Sequence, residues 1–195
     1  MRILIVLLIL LVSCNNSNEK PYYDFETHFE ISEGVETATY EQAIEFYTNL
    51  AEAYPEISIQ DIGETDSGNP LHIVTLNNNS QFDFSEIRKN KRILLINNGI
   101  HPGESDGIDA TMMLFRDLIN GKIEIPKNTV IVTIPIYNVG GSLNRNSTTR
   151  TNQNGPKDYG FRGNARNYDL NRDFIKCDTK NAEAFAEIFH LIKPD

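Results

Sequence analysis

The chain has 195 residues, 39% of them hydrophobic and 23% charged, which suits one domain with a core or part of a larger one. The formal net charge of −9 argues against nucleic acid as a partner, because the sequence offers no basic patch to neutralise phosphates. The charge does not identify a substrate.

The first fourteen residues have the pattern of a targeting segment. Arg2 is followed by the apolar run 3–11, which is too short to span a bilayer as a stable helix. Leu11-Val12-Ser13-Cys14 resembles a bacterial lipoprotein signal that is cleaved before Cys14 and lipidated on its thiol, and an ordinary secretory signal with a chance cysteine is the alternative. Both interpretations predict export. Lipidation would anchor the protein to a membrane surface of the bacterial cell envelope.

The next part of the chain predicts a helix and a hairpin. Thr39 and Gln42 have the spacing of a capping box, and apolar residues at helical spacing continue to Tyr54, where Pro55 ends the helix. Residues 57–62 and 71–76 have strand patterns, and the stretch between them is dense in turn residues. The two strands therefore form a predicted β-hairpin.

The sequence His101-Pro102-Gly103-Glu104 connects an apolar run, 92–97, to a segment with helical spacing that ends at about Gly121. The turn therefore leaves the C-terminal end of a strand, where open α/β sheets usually place their sites. An imidazole and a carboxylate three residues apart can point at one metal ion, and this donor pair suits zinc, whose catalytic sites use three protein ligands and a water. A solvated loop histidine beside a helix-starting glutamate is the alternative, because two ligands do not make a site.

Residues 129–136 are β-branched and nearly all apolar, which predicts a strand covered on both faces. Strands alternating with helices indicate an α/β fold with a mixed, mostly parallel sheet flanked by helices. The long segment 138–174 is rich in Asn, Gly and Arg, and a loop of this length is usually either functional or disordered. We interpret it as a functional surface, with a solvated loop as the alternative. Thr179 is predicted to start a last helix.

Three further residues are given structural interpretations. His72 falls within a predicted strand and is expected to be structural. His190 lies beside the apolar stripe of the last helix and is expected to be a packing or surface residue. Cys177 has no partner for an intramolecular disulfide once Cys14 is lipidated, and we predict a buried, inert thiol.

The segment 162–174, Arg-Gly-Asn-Ala-Arg-Asn-Tyr-Asp-Leu-Asn-Arg-Asp-Phe, together with the earlier His-Pro-Gly-Glu turn, resembles the zinc metallocarboxypeptidases of the M14, or carboxypeptidase A, family. The resemblance implies a Zn²⁺ cofactor held in part by His101 and Glu104. It also implies that Arg162 stabilises the oxyanion of the intermediate, and that Asn171 and Arg172 grip the terminal carboxylate of the substrate. The remaining arginines match less well: Arg150 is a weaker candidate for a substrate contact at the oxyanion, and Arg145 for a peripheral one.

The resemblance also implies that parts of the family's site are absent. The third zinc ligand, a histidine on a strand after the last helix, and the later general-base glutamate have no match, so we expect an incomplete chain with weak zinc binding and little or no turnover. The predicted organisation is a lipoprotein signal peptide over 1–13, a tether and N-terminal extension over 14–38, and an incomplete peptidase domain over 39–195. The zinc-carboxypeptidase-like fold would lack its C-terminal part.

The predicted function is a zinc-dependent carboxypeptidase of the cell envelope that acts on peptide or protein C-termini through an activated water. A cell-wall peptide amidase on the same fold is one alternative, because the side-chain pocket cannot be read from these residues. A non-catalytic envelope lipoprotein that binds peptides or a partner is the other. Fold alone does not fix the substrate.

Overall fold

The computed structural model describes residues 25–195, so the predicted signal peptide and Cys14 lie outside the described residues. No helix within this range is long and apolar enough to cross a membrane. The helices and strands of the described residues, in chain order, are α1 (His28–Ile31), α2 (Tyr40–Ala53), β1 (Ile57–Glu64), β2 (Pro70–Leu76), α3 (Phe84–Ile87), β3 (Arg92–Asn97), α4 (Asp106–Ile119), β4 (Thr129–Ile134), α5 (Val139–Leu143) and α6 (Lys180–Ile192).

The strands form one four-stranded sheet in the order β1-β2-β4-β3. β1 and β2 make the predicted antiparallel hairpin, β2 also pairs with β4 antiparallel, and β3 pairs with β4 in parallel. The predicted α/β class with a mixed sheet and flanking helices is therefore confirmed. Parallel pairing has a smaller share of the described residues than predicted, because the β1–β2 hairpin joins the sheet beside β4 in the antiparallel sense.

Local capping signals set the helix boundaries as predicted. The Thr39 hydroxyl accepts a hydrogen bond from the Gln42 amide, and the Gln42 side chain accepts from the Thr39 amide, which completes a capping box. α4 ends at Ile119, with Asn120 as its C-cap, and Gly121 follows with φ +75°. The last helix begins after Thr179, whose side chain accepts from the Ala182 amide. β4 ends at Ile134, two residues earlier than predicted, and the amides of Tyr137 and Asn138 donate to the carbonyls of Asn98 and Gly99 in the turn after β3.

The core lies between the sheet and the helices that pack on it. Tyr47 of α2 and Phe115 of α4 meet edge to face with ring centroids 5.4 Å apart, and both side chains are fully buried. On the hairpin, α6 packs so closely that a Cβ at Gly63 would lie 2.8 Å from the Cβ of Ala184. A left-handed glycine at this position therefore allows the close approach of helix and strand.

Residues 25–38 pack against α4. The buried carboxylate of Asp109 accepts hydrogen bonds from the Thr37 hydroxyl and, at 3.1 Å, from the Ala38 amide. Burial raises the pKa of Asp109 despite these bonds. Nearby, the Arg116 guanidinium pairs with Glu30 at 2.5 Å. The segment before α2 is therefore fastened to the domain by polar contacts with one helix.

Candidate functional site

The turn that leaves β3 is fixed by a buried asparagine. The Asn98 side chain donates to the hydroxyls of Thr111 on α4 and Thr133 on β4, each at 3.0 Å. Gly99 has φ +65°, and a Cβ there would lie 3.2 Å from Ile108 and 3.3 Å from Ile136. The chain can therefore turn sharply between the strand and the helix. His101 and Glu104 follow on this anchored turn, as the sequence predicted.

His101 is buried and has a different polar partner on each ring nitrogen. Its Nε2 lies 2.9 Å from the Asp169 Oδ1. Because an ionised carboxylate only accepts hydrogen bonds, Nε2 carries the proton and Nδ1 keeps its lone pair. That Nδ1 lies 3.5 Å from the Glu104 Oε1, and the Arg162 Nη1 donates to it at 3.3 Å.

The separation of these two donor atoms fits a shared zinc ion. Two ligands about 2.1 Å from a tetrahedral ion lie about 3.4 Å apart, which matches the 3.5 Å between His101 Nδ1 and Glu104 Oε1. In the part of the chain that the structure describes, no group of three His, Cys, Asp or Glu side chains could hold a metal ion. The pair therefore suits two of the three protein positions of a catalytic zinc site, provided that Arg162 gives up its hydrogen bond to the single lone pair of Nδ1.

Asp169 connects His101 to Arg162 and was not singled out by the sequence analysis. Its Oδ2 accepts from the Arg162 Nε at 3.1 Å and Nη2 at 2.9 Å, while its Oδ1 accepts from His101 and from the Asn171 amide. Burial would raise the pKa of Asp169, but the hydrogen bonds from His101 and Arg162 lower it to about 2. A usable signal was present, since metal-ligating histidines almost always donate their second N–H to a carboxylate or another acceptor.

Close backbone contacts hold the segment that carries Arg162. The Asn138 side chain donates to the carbonyls of Ile100, at 3.3 Å, and Arg162, at 3.0 Å. A Cβ at Gly140 would lie 2.5 Å from the Ala165 amide nitrogen, and one at Gly141 would lie 2.4 Å from a carbonyl oxygen. These glycines let the segment lie against α5.

Arg150 reaches the site from the other side. Its Nη2 donates to the Glu104 Oε1 at 2.8 Å. This hydrogen bond is the main cause of the lowered pKa of Glu104. Arg162 lies farther from the same oxygen, with its Nη1 at 4.0 Å. Two guanidinium groups therefore face the carboxylate of the predicted metal ligand.

Asn171 and Arg172 lie on the far side of Asp169, in a single 3-10 turn (Leu170–Arg172). Both are exposed, and the Arg172 Nη1 donates to the Asn171 carbonyl at 2.9 Å. Arg172 makes no ion pair with any carboxylate among residues 25–195. It lines a pocket of about 580 Å³ together with Arg166, Tyr168 and Lys176. The guanidinium is therefore available to a ligand in that pocket.

The other candidates of the sequence analysis lie apart from this cluster. His72 is buried with its Nε2 2.8 Å from Asp61, and His190 is exposed on α6, as expected. One expectation needs correction, because Cys177 is half-buried instead of buried. Its backbone has φ +55°. Arg145 donates to the backbone carbonyls of Thr37, Ala38 and Asp158, and its peripheral contact with substrate stays a prediction.

Comparisons with known proteins agree with the fold. The family model described as zinc carboxypeptidase matches residues 43–189. Similar structures include a metallo-carboxypeptidase from Burkholderia cenocepacia (TM-score 0.58, 19% identity, 80% of this chain and 38% of that one). Bovine thrombin-activatable fibrinolysis inhibitor, solved with a tick carboxypeptidase inhibitor, is similar too (TM-score 0.57, 16% identity, 78% of this chain and 55% of that one). The chain thus spans about 38% of the length of the first of these. No curated protein sequence matches it.

Proposed function

This chain belongs to the zinc carboxypeptidase family, and on that premise we propose that it forms part of a zinc-dependent enzyme that removes C-terminal residues from peptides. The observation that carries the proposal is the 3.5 Å separation of His101 Nδ1 and Glu104 Oε1, with Arg162 and Arg172 on the adjoining segment. The chemistry that bound Zn²⁺ supplies is Lewis-acid polarisation of a carbonyl and a coordinated water with a pKa of about 7.

In this proposal His101 and Glu104 hold the metal, and Asp169 fixes the His101 ring through its Nε2 proton. Arg162 stands beside His101 with its Nη1 3.3 Å from the ring nitrogen, a position that suits stabilisation of the developing oxyanion. Removing one such donor typically lowers kcat by about 10²–10³. Asp169 keeps Arg162 in this orientation through two hydrogen bonds from its guanidinium.

Asn171 and Arg172 bind the terminal carboxylate of the substrate in our proposal. A guanidinium fork is suited to a planar carboxylate, and Arg172 makes no ion pair within the described residues that it would have to give up. A charge-assisted hydrogen bond contributes roughly 1.5–3 kcal/mol. The pocket of about 580 Å³ beside Arg172 can take a terminal side chain, so cleavage is directed to chain ends.

We further propose that the protein works in the bacterial cell envelope and is held at a membrane surface by lipidated Cys14. The sequence pattern of residues 1–14 supports this location. Peptide or protein C-termini would then be its partners. Metabolic labelling with a palmitate analogue tests the anchor: wild type should be labelled, and a Cys14→Ser variant should not.

Zinc stoichiometry tests the metal ligands. Equilibrium dialysis of the purified chain against Zn²⁺ should find weak zinc binding in the wild type and a loss of it in Glu104→Ala, because the variant has one fewer ligand. Glu124→Ala is the matched control, since Glu124 is exposed and pairs only loosely with Lys127 at 3.7 Å. An unchanged zinc content in Glu104→Ala would refute the ligand assignment.

Peptide binding tests whether Arg172 holds the terminal carboxylate of the substrate. A fluorescent peptide with a free C-terminus should bind the wild type at least about 10-fold more tightly than its C-terminal amide, because only the free form has a carboxylate that accepts hydrogen bonds from Arg172. Arg172→Ala should remove this difference, while the exposed control Lys89→Ala should keep it. Equal binding of the two peptides to the wild type would refute this role of Arg172.

A further inference from the structure

A segment of the long loop, residues 146–160, crosses directly over the turn that carries the two predicted zinc ligands. We propose that this crossing segment is a positioning device, in which Arg150 passes through the space left by Gly103 and holds the Glu104 carboxylate in the orientation that binds metal. The inference rests on the proposed zinc-binding function. Arg150 then acts by orienting Glu104 and does not contact the substrate itself.

The contact between the crossing segment and the turn requires glycine on both sides. A Cβ at Gly103 would lie 2.5 Å from the Arg150 Nε and 2.8 Å from the Gly160 carbonyl oxygen. A Cβ at Gly160 would lie 2.5 Å from the Pro102 Cβ. The Gln153 side chain also donates to the Gly103 carbonyl at 2.9 Å. The path of the Arg150 side chain therefore depends on the missing side chain at Gly103.

The crossing segment is held at both ends. Asn146 and Tyr159 exchange two backbone hydrogen bonds of 3.0 Å each. The buried Tyr159 hydroxyl accepts from the Arg150 amide at 3.0 Å. The neighbouring Arg145 ties the start of the segment to the carbonyls of Thr37 and Ala38. Arg150 therefore extends from a backbone that is fixed before any ligand binds.

Arg150 donates to the carboxylate oxygen that faces the histidine. Its bond of 2.8 Å is to the Glu104 Oε1, the same atom that lies 3.5 Å from the His101 Nδ1. A carboxylate oxygen has more than one lone pair, so the hydrogen bond can fix the carboxylate and leave a lone pair for the metal. Ligating carboxylates are commonly held by such outer partners, whose loss typically weakens metal affinity about 10–100-fold.

The test measures the zinc dissociation constant of the chain by competition with a chromophoric chelator. Arg150→Ala should weaken zinc binding about 10–100-fold, and Arg150→Lys should recover part of the loss because one donor remains. Gly103→Ala should weaken binding to a similar extent by displacing the Arg150 side chain. Thr149→Ala, an exposed neighbour on the same segment, should bind zinc as the wild type does.

The double variant decides between this coupling and two separate effects. If Gly103→Ala acts mainly through Arg150, adding it to Arg150→Ala should cause a smaller loss than Gly103→Ala causes alone, because only the close contact with the Gly160 carbonyl remains. An additive double variant, or an Arg150→Ala chain that binds zinc as tightly as the wild type or more tightly, would overturn the inference. Circular dichroism of each variant shows whether the fold is retained, and the two Arg150 variants decide the question if Gly103→Ala does not fold. If Glu104→Ala loses zinc while the Arg150 variants bind it as the wild type does, the inference about Arg150 fails and the proposed zinc-binding function is retained.

Discussion

The carboxylate of Asp169 accepts hydrogen bonds from three groups, and its removal should destabilise the fold by about 1–4 kcal/mol. In Asp169→Ala the buried Nε2 proton of His101 loses its acceptor, which costs about 1–3 kcal/mol. The ion pair with the half-exposed Arg162 contributes at most about 1 kcal/mol. The exposed Asn171 amide turns to water and adds little. Asp169→Asn should cost less, because the amide oxygen still accepts one of these hydrogen bonds.

Urea unfolding followed by circular dichroism measures this difference, since the chain has no tryptophan for fluorescence. Asp178→Ala is the matched control, because Asp178 is exposed on the same segment and its backbone hydrogen bond is retained. The control should stay within about 0.5 kcal/mol of the wild type. An Asp169→Ala chain as stable as this control would refute the view that Asp169 holds the His101 ring in place.

Three further substitutions and one control test the rest of the domain. Burial lowers the pKa of His72, although the charge of Asp61 raises it in part. The unfolded chain therefore binds the proton at a higher pH than the folded chain does. The free energy of unfolding should accordingly fall as the pH drops through about 6.5. His72→Gln should flatten this slope in urea titrations at several pH values, and an unchanged slope would contradict the reasoning. Asp109→Ala should cost about 1–3 kcal/mol in the same assay, because two buried donors lose their acceptor; a neutral result would mean that water replaces it. Phe115→Ala should cost about 3–5 kcal/mol through the cavity it leaves, whereas Ile175→Ala, 97% exposed, should be nearly neutral, and equal effects would count against the core assignment.

The elements with local signals could be predicted from the sequence. The Thr39 capping box, the 57–76 hairpin and the stop at Gly121 each depend on residues within a few positions of one another. The predicted mostly parallel sheet was less accurate in the described residues. The position of β2 beside β4 depends on burial across the whole sheet, and no local pattern encodes that pairing.

In the candidate site, too, the local feature was predicted and the long-range contact was missed. The His101 and Glu104 pair was predicted because both residues lie on one turn, three positions apart. Asp169 was missed because its contact with His101 joins residues 68 positions apart. The bonds of Arg145 to backbone carbonyls were not predicted, since a guanidinium on a polar loop suits a ligand carboxylate and a backbone carbonyl equally well. Sequence pattern cannot distinguish these two acceptors.

The anchoring of Asn98 also has a consequence for the order in which the site assembles during folding. Its bonds to Thr111 and Thr133 close loops of 13 and 35 residues, whereas the His101–Asp169 contact closes one of 68. Closing a longer loop costs more chain entropy, so we expect the ligand pair to take its geometry with the sheet and the 162–172 segment to dock afterwards. Under mild denaturant that segment should detach first, and its amides should exchange with solvent while those of β4 stay protected.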